Sequence, residues 1–177
     1  MDELTTEQFR QLYREFFPRV YAYVAYRVGR AADAEDVVSE VFLRVVAHWS
    51  RFTPRGEDET ERAHALVAWI FRIAYSQVNQ FYRENRTETI ALDDLPDIRS
   101  DAPSLDHQLL RKERFARLYA HIARLSPRRQ EVITLKYFGG LRNQEIAAVM
   151  GLDERTVASH LSRALVDLER YYAEQPS

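Results

Sequence analysis

Along most of this chain, apolar residues return at every third or fourth position, and the longest lapse in the repeat lies between residues 87 and 106. That spacing lines apolar side chains along one face of an α-helix, whereas a strand needs strict alternation. No stretch of useful length alternates, so the predicted fold class is all-α. The lapse holds Pro96, Pro103 and six acidic residues, a composition too polar to bury a core of its own. It predicts two small helical domains, residues 1–86 and 108–177, joined by a flexible acidic linker over residues 87–107. Domains of that size bury only about 60% of their unfolded surface, so each is expected to be modestly stable alone.

Within the first domain, Thr5 and Gln8 have capping-box spacing ahead of Phe9, Leu12, Tyr13 and Phe16. Pro18 is expected to break or kink this helix, and Gly29 to end it. Asp33 reads as the N-cap of a second helix, whose apolar face carries Val37, Val38, Val41, Phe42, Val45, Val46 and Trp49. Asp36, Glu40 and Arg44 line a different face. Pro54, Gly56 and a charge cluster mark residues 50–62 as a loop. A long helix follows, from about Ala63 to Asn85.

Several functions are excluded by what is missing. The sequence has no cysteine, so disulfides and thiolate chemistry are ruled out. The five histidines show no metal spacing, and there is no Gly-x-Ser-x-Gly and no phosphate loop, so no enzyme, cofactor or metal site is expected. No apolar run approaches a membrane span, and the acidic start lacks the form of a signal peptide. The net charge of −2 is unevenly spread, with −5 over residues 87–107 and +5 over residues 108–172. The basic C-terminal part suggests a polyanionic partner.

Ser126-Pro127 is a strong helix start. A short helix over Asn143–Met150, a turn at Gly151-Leu152-Asp153 and a longer helix from Glu154 to about Tyr172 give a helix-turn-helix. At 100° per residue, Val157, Leu161, Ala164, Leu165 and Leu168 share one side of the last helix. Arg155, Ser159, Ser162 and Arg163 fall opposite, with Thr156 near them and His160 on the flank. Arginines and hydroxyls on the exposed N-terminal part of such a helix suit base edges and phosphates in a major groove. A solvated polar face on a helical hairpin is the plainer alternative.

Three segments together carry a family resemblance. Leu125 to Leu141, Glu145 to Leu152 and Thr156 to Ala164 resemble region 4 of the extracytoplasmic-function sigma factors of bacterial RNA polymerase. Asp33 to Leu43 resembles their region 2.2, and Ala68 to Ala74 the junction of regions 2.3 and 2.4. The resemblance implies a two-domain transcription-initiation subunit. Its partners would be core polymerase, through the clamp and flap of the two largest subunits, and promoter DNA. Family members are often held by a membrane-linked anti-sigma factor, a further candidate partner. No small-molecule substrate and no membrane insertion are implied, and the location would be cytoplasmic.

Carried onto this chain, the resemblance assigns polymerase docking to Asp36, Ser39, Glu40 and Arg44. It assigns the −10 element to Phe52, Tyr75, Ser76, Asn79, Gln80 and Arg83, and the −35 element to Arg155, Thr156, Ser159, His160, Ser162 and Arg163. Trp49 and Trp69 read as packing residues. The linker acids Asp93, Asp94, Asp97 and Asp101 would mimic nucleic acid in the polymerase channels. The chain departs from the family's pattern at Tyr75-Ser76, Gln80, Glu84, Arg142, Ala158 and His160. Lost positive charge in the last helix implies weaker duplex binding. A sigma-like decoy that binds an anti-sigma factor, and a stand-alone helix-turn-helix regulator, remain the alternatives.

Overall fold

The computed structural model describes residues 4–85, 94–96 and 105–174. Among these residues every regular element is helical: α1 (Thr6–Val28), α2 (Ala31–His48), a 3-10 turn (Trp49–Arg51), α3 (Glu59–Glu84), α4 (Leu105–Ala123), α5 (Pro127–Tyr137), α6 (Asn143–Met150) and α7 (Glu154–Glu174). The all-α expectation holds.

The capping box at Thr5 and Gln8 is present. Pro18, however, neither breaks nor ends α1, which runs through it to Val28. Proline removes the amide that would bond to the Arg14 carbonyl. Arg14 and Pro18 are both on the exposed side, where water can serve that carbonyl. The buried stripe of Leu12, Phe16, Val20 and Val24 spans the defect, and each such side chain contributes about 1.5–3 kcal/mol on full burial. Asp33 is also not the N-cap of α2. Arg30 takes that position, with extended backbone, and Asp33 lies in the first turn, 3.9 Å from the Arg30 guanidinium. A carboxylate is favoured there by the helix dipole as much as at the cap itself. α3 begins four residues before its expected start. Asp58 caps it by accepting from the Glu61 amide at 2.8 Å, so part of the expected loop is helix.

In the C-terminal half, α5 starts at Pro127 behind Ser126 as expected, but the serine side chain makes no capping bond. The Gln130 side-chain amide instead donates to the Ala123 and Leu125 carbonyls, tying the end of α4 to α5. Gly151 adopts the left-handed conformation, φ 67°, that lets the chain turn sharply from α6 into α7.

α1, α2 and α3 pack together, as do α5, α6 and α7, with α4 against α7. The two groups also touch each other. α6 lies on α3 and α5 on α1, and one continuous apolar interior joins them. There Arg27 of α1 donates to Glu131 of α5 through Nε at 2.9 Å and Nη2 at 2.8 Å, and both charged side chains are only 6% exposed. Of the segment between the halves, Leu95 is buried in that interior and Asp94 lies 3.9 Å from Arg30. Asp93, Asp97 and Asp101 lie outside the described residues.

Candidate nucleic-acid interface

An open cleft of about 380 Å³ lies between the 3-10 turn and the first half of α3, lined by Arg51, Phe52, Thr53, Arg55, Ala65, Ala68, Trp69 and Arg72. The turn carries Phe52 against Trp69, the rings stacked with centroids 4.7 Å apart. Trp49 closes on Trp69 edge-on at 6.1 Å. Arg51, Arg55 and Arg72 supply positive charge around this aromatic wall. An unstacked base needs a flat apolar partner and its phosphate needs a cation, and the cleft offers both. Phe52 is the residue here that sequence reasoning placed at the −10 element. Trp49 and Trp69, read as packing residues, do pack half-buried against the core; Trp69 walls the cleft as well, and the arginines were not singled out. The available signal was arginine interleaved with aromatic residues at 51–55 and 69–72.

The remaining −10 candidates extend along α3. Arg72, Tyr75, Asn79 and Arg83 recur at three and four residues and share one face, with Ser76 and Gln80 beside it. Ser76 and Arg83 are exposed, Tyr75, Asn79 and Gln80 half-buried. The Gln80 amide donates to Glu84 at 2.8 Å.

The second surface is on α7. Arg155, Ser159, Ser162 and Arg163 are exposed and Thr156 half-buried. Asp153 caps the helix, accepting from the Thr156 amide and hydroxyl, each at 2.8 Å. Those bonds hold its carboxyl below the ordinary aspartate value. Arg155 forms no ion pair among the described residues, neither with Asp153 nor with Glu154. His160 is half-buried, and burial together with Arg128, Arg129 and Arg163 lowers its pKa. The shift favours the uncharged ring at this surface. Arg129 is paired with Asp167 at 2.5 Å. Arg128, which sequence reasoning did not single out, stays exposed beside His160, and it makes good part of the positive charge missing from α7.

The third surface is the outer face of α2. Asp36 and Ser39 are exposed. Glu40 and Arg44 pair with each other at 2.7 Å. Between them Leu43 is 65% exposed, and Val46, expected inside, is 48% exposed. The 100° step explains the miss: Val46 lies on the margin of a wide apolar stripe.

Among the described residues no helix is long and apolar enough to cross a membrane, and no cluster of side chains could hold a metal.

Two family descriptions match the chain: "Sigma-70 region 2" over residues 12–88 and "Sigma-70, region 4" over residues 115–168. Together they cover most of its length. The "ECF RNA polymerase sigma factor BldN" of Streptomyces coelicolor is 32% identical over 165 residues, 93% of this chain but 60% of that protein. The "RNA polymerase sigma factor SigZ" of Bacillus subtilis is 26% identical over 152 residues, 86% of this chain and 80% of that one. The fold matches that of CnrH solved with the cytosolic domain of CnrY, with a TM-score of 0.72 and 22% identity over 97% of this chain and 92% of that one. It also matches RpoE solved with the anti-sigma factor NepR from Bartonella quintana, with a TM-score of 0.65 and 23% identity over 93% and 96%.

Proposed function

The chain belongs to the sigma-70 family, and from that membership we propose that it is a promoter-recognition subunit of bacterial RNA polymerase. The N-terminal half docks on the polymerase and captures unstacked −10 bases, and the C-terminal half reads the −35 duplex. One observation carries this reading: a single chain holds both an aromatic cleft ringed by arginines and a helix-turn-helix with an unpaired arginine at its groove-facing end.

The division of labour follows from the chemistry of the two surfaces. Unstacking a base costs a few kcal/mol, and stacking on an aromatic side chain returns about 1–3 kcal/mol. Phe52 and Trp69 supply the rings, and Arg51, Arg55 and Arg72 hold the backbone phosphates. Tyr75, Ser76, Asn79, Gln80 and Arg83 continue the strand's path along α3. On α7, Arg155 and Ser159 face base edges, Thr156 and Ser162 sit beside them, and Arg163 with Arg128 contacts phosphates. His160 packs at the edge of that surface. The outer face of α2 docks on core polymerase through Asp36, Ser39 and Glu40 around Leu43, with Arg44 at its edge. An apolar centre inside a polar rim is the usual anatomy of a protein interface. An anti-sigma factor is a further partner in this reading, the setting is the cytoplasm, and RNA synthesis stays with the polymerase.

Run-off transcription with purified core polymerase on a promoter library tests the proposal. Discrete transcripts that depend on this chain support it. Failure to bind either core or promoter DNA sinks it in favour of a decoy for an anti-sigma factor, and duplex binding without binding to core favours a stand-alone regulator. Leu43→Asp should weaken binding to core in a competition assay against another sigma factor while helix content is retained. Unchanged affinity removes α2 from the interface.

A further inference from the structure

α7 has 21 residues and is therefore about 30 Å long, whereas the major groove is about 12 Å wide. Only the first half of the helix can sit among base edges, and the second half must pass over a flanking backbone. Arg163 and Arg170 are seven residues apart on one side of α7, two turns or about 10 Å along its axis. Both are exposed. Arg128 and Arg129, at the start of α5, come up beside Arg163 around His160. Four arginines from two helices thus gather along the edge where α7 would leave the groove.

One carboxylate organises two of the four. Asp167 accepts from Arg129 Nη1 at 2.5 Å through one oxygen and from Arg170 Nη2 at 3.3 Å through the other. The Asp167 side chain is 18% exposed and that of Arg170 62%, so the acid is set behind the cation it holds. The Tyr171 ring supports Arg170 from a second side, 5.3 Å from its guanidinium. Glu174 lies 4.0 Å from Arg170 but is bonded more closely to Arg124, at 2.9 Å. A guanidinium has five N–H donors, so both arginines keep donors for a second anion. An arginine fixed on a phosphate loses side-chain freedom, and a carboxylate that fixes it beforehand removes part of that cost.

We propose that Asp167 is a positioning residue for duplex binding, and that it holds Arg129 and Arg170 toward the phosphates of the backbone that α7 crosses. The inference rests on the promoter reading of α7 and extends that surface to three residues outside it. Its signature is a reversal of sign. By charge alone Asp167 repels phosphates, so neutralising it would tighten binding to DNA. If Asp167 orients two phosphate-binding arginines, neutralising it weakens binding instead. A carboxylate that only ties α5 to α7 would change stability and leave the number of engaged phosphates as it was.

A labelled duplex of randomised sequence, titrated with the full chain over a range of salt, reads affinity and the number of phosphates engaged. Each engaged phosphate adds about 0.9 to the slope of log affinity against log salt. Arg129→Gln and Arg170→Gln should each lower that slope by about one unit. Asp167→Ala should lower it by about one to two units and weaken binding about tenfold in roughly 0.1 M salt. Added to the two arginine substitutions, it should change the slope no further. Circular dichroism follows helix content in every variant. Tighter binding, or an unchanged slope, in an Asp167→Ala chain that keeps its helix content overturns the positioning role. Should Asp167→Ala fail to fold, Arg170→Gln decides, because its side chain is mostly exposed: an unchanged slope there removes Arg170 from the phosphates and overturns the proposal. If the parent chain binds no duplex, or Arg163→Ala also leaves the slope unchanged, the promoter reading of α7 fails and the proposal with it. That result is distinct, because a failure confined to Asp167 leaves parent binding and the Arg163 effect in place.

Discussion

The two nucleic-acid surfaces of this protein are built in opposite ways. The surface on α7 is mostly one face of one helix, so its members are neighbours in sequence, and Arg155, Ser159, Ser162 and Arg163 are exposed. The cleft joins a 3-10 turn to α3 and brings Phe52 against Trp69 across a charged loop. Its Arg72 is engaged by α6. A surface made by a single helix survives rearrangement of the rest of the chain, whereas one assembled from two elements can be governed by whatever packs beside it.

The largest expected effect tests the interface between the halves. Arg27→Ala should cost the chain about 3–5 kcal/mol, the usual penalty for stranding a buried charge. Arg44→Ala breaks an exposed pair and should cost at most about 0.5 kcal/mol. Urea unfolding of both variants measures the contrast, and equal losses would remove the special role of the interface. Next come the cleft aromatics. Phe52→Ala should remove about 1–3 kcal/mol of strand stacking, lowering the permanganate reactivity of opened promoter DNA while leaving duplex −35 affinity intact. Matched losses in both assays would merge the two surfaces into one.

Arg155→Ala should cost about 1–3 kcal/mol if its contact is bidentate to guanine, and relax preference at one −35 position. Arg163→Ala should weaken all sequences evenly and reduce the salt slope by about one unit. Selecting −35 sequences with each variant decides between these roles, because an unchanged preferred sequence for the Arg155 variant rejects base reading. The smallest effect is in acid. The Thr156 amide and hydroxyl depress the Asp153 carboxyl. Its contribution is then fully present above the ordinary value of 3.8 and is lost as pH falls through the depressed one. Amide exchange in the first turn of α7 should rise there before the centre of the helix responds.

The asymmetry also decided what could be read in advance. α6 and the start of α7 were legible because short-range chemistry sets them: a glycine with positive φ, an aspartate cap and an apolar stripe. Asp33 and Pro18 were misplaced because tertiary packing outweighed their local preferences, one residue serving within the first turn and the other tolerated on the wet side of α1. Trp69 and Arg72 join Phe52 only after α3 has folded back along the 3-10 turn, and no local periodicity encodes that meeting. Arg142 stood out in the sequence only as a departure from the family's pattern. Its contact with His64 involves residues 64 and 142, far apart in the chain and adjacent only in the fold.

The burial of the Arg27–Glu131 pair also has a consequence in time. When the halves begin to part, the guanidinium and the carboxylate lose each other before the gap admits water. The charges are least satisfied midway, and the cost falls on the barrier more than on either end state. Opening and reclosure are then both slow, all-at-once events. A freshly mixed polymerase would show a lag before its first transcripts, and that lag would shorten in any chain whose interface carries no charge to separate.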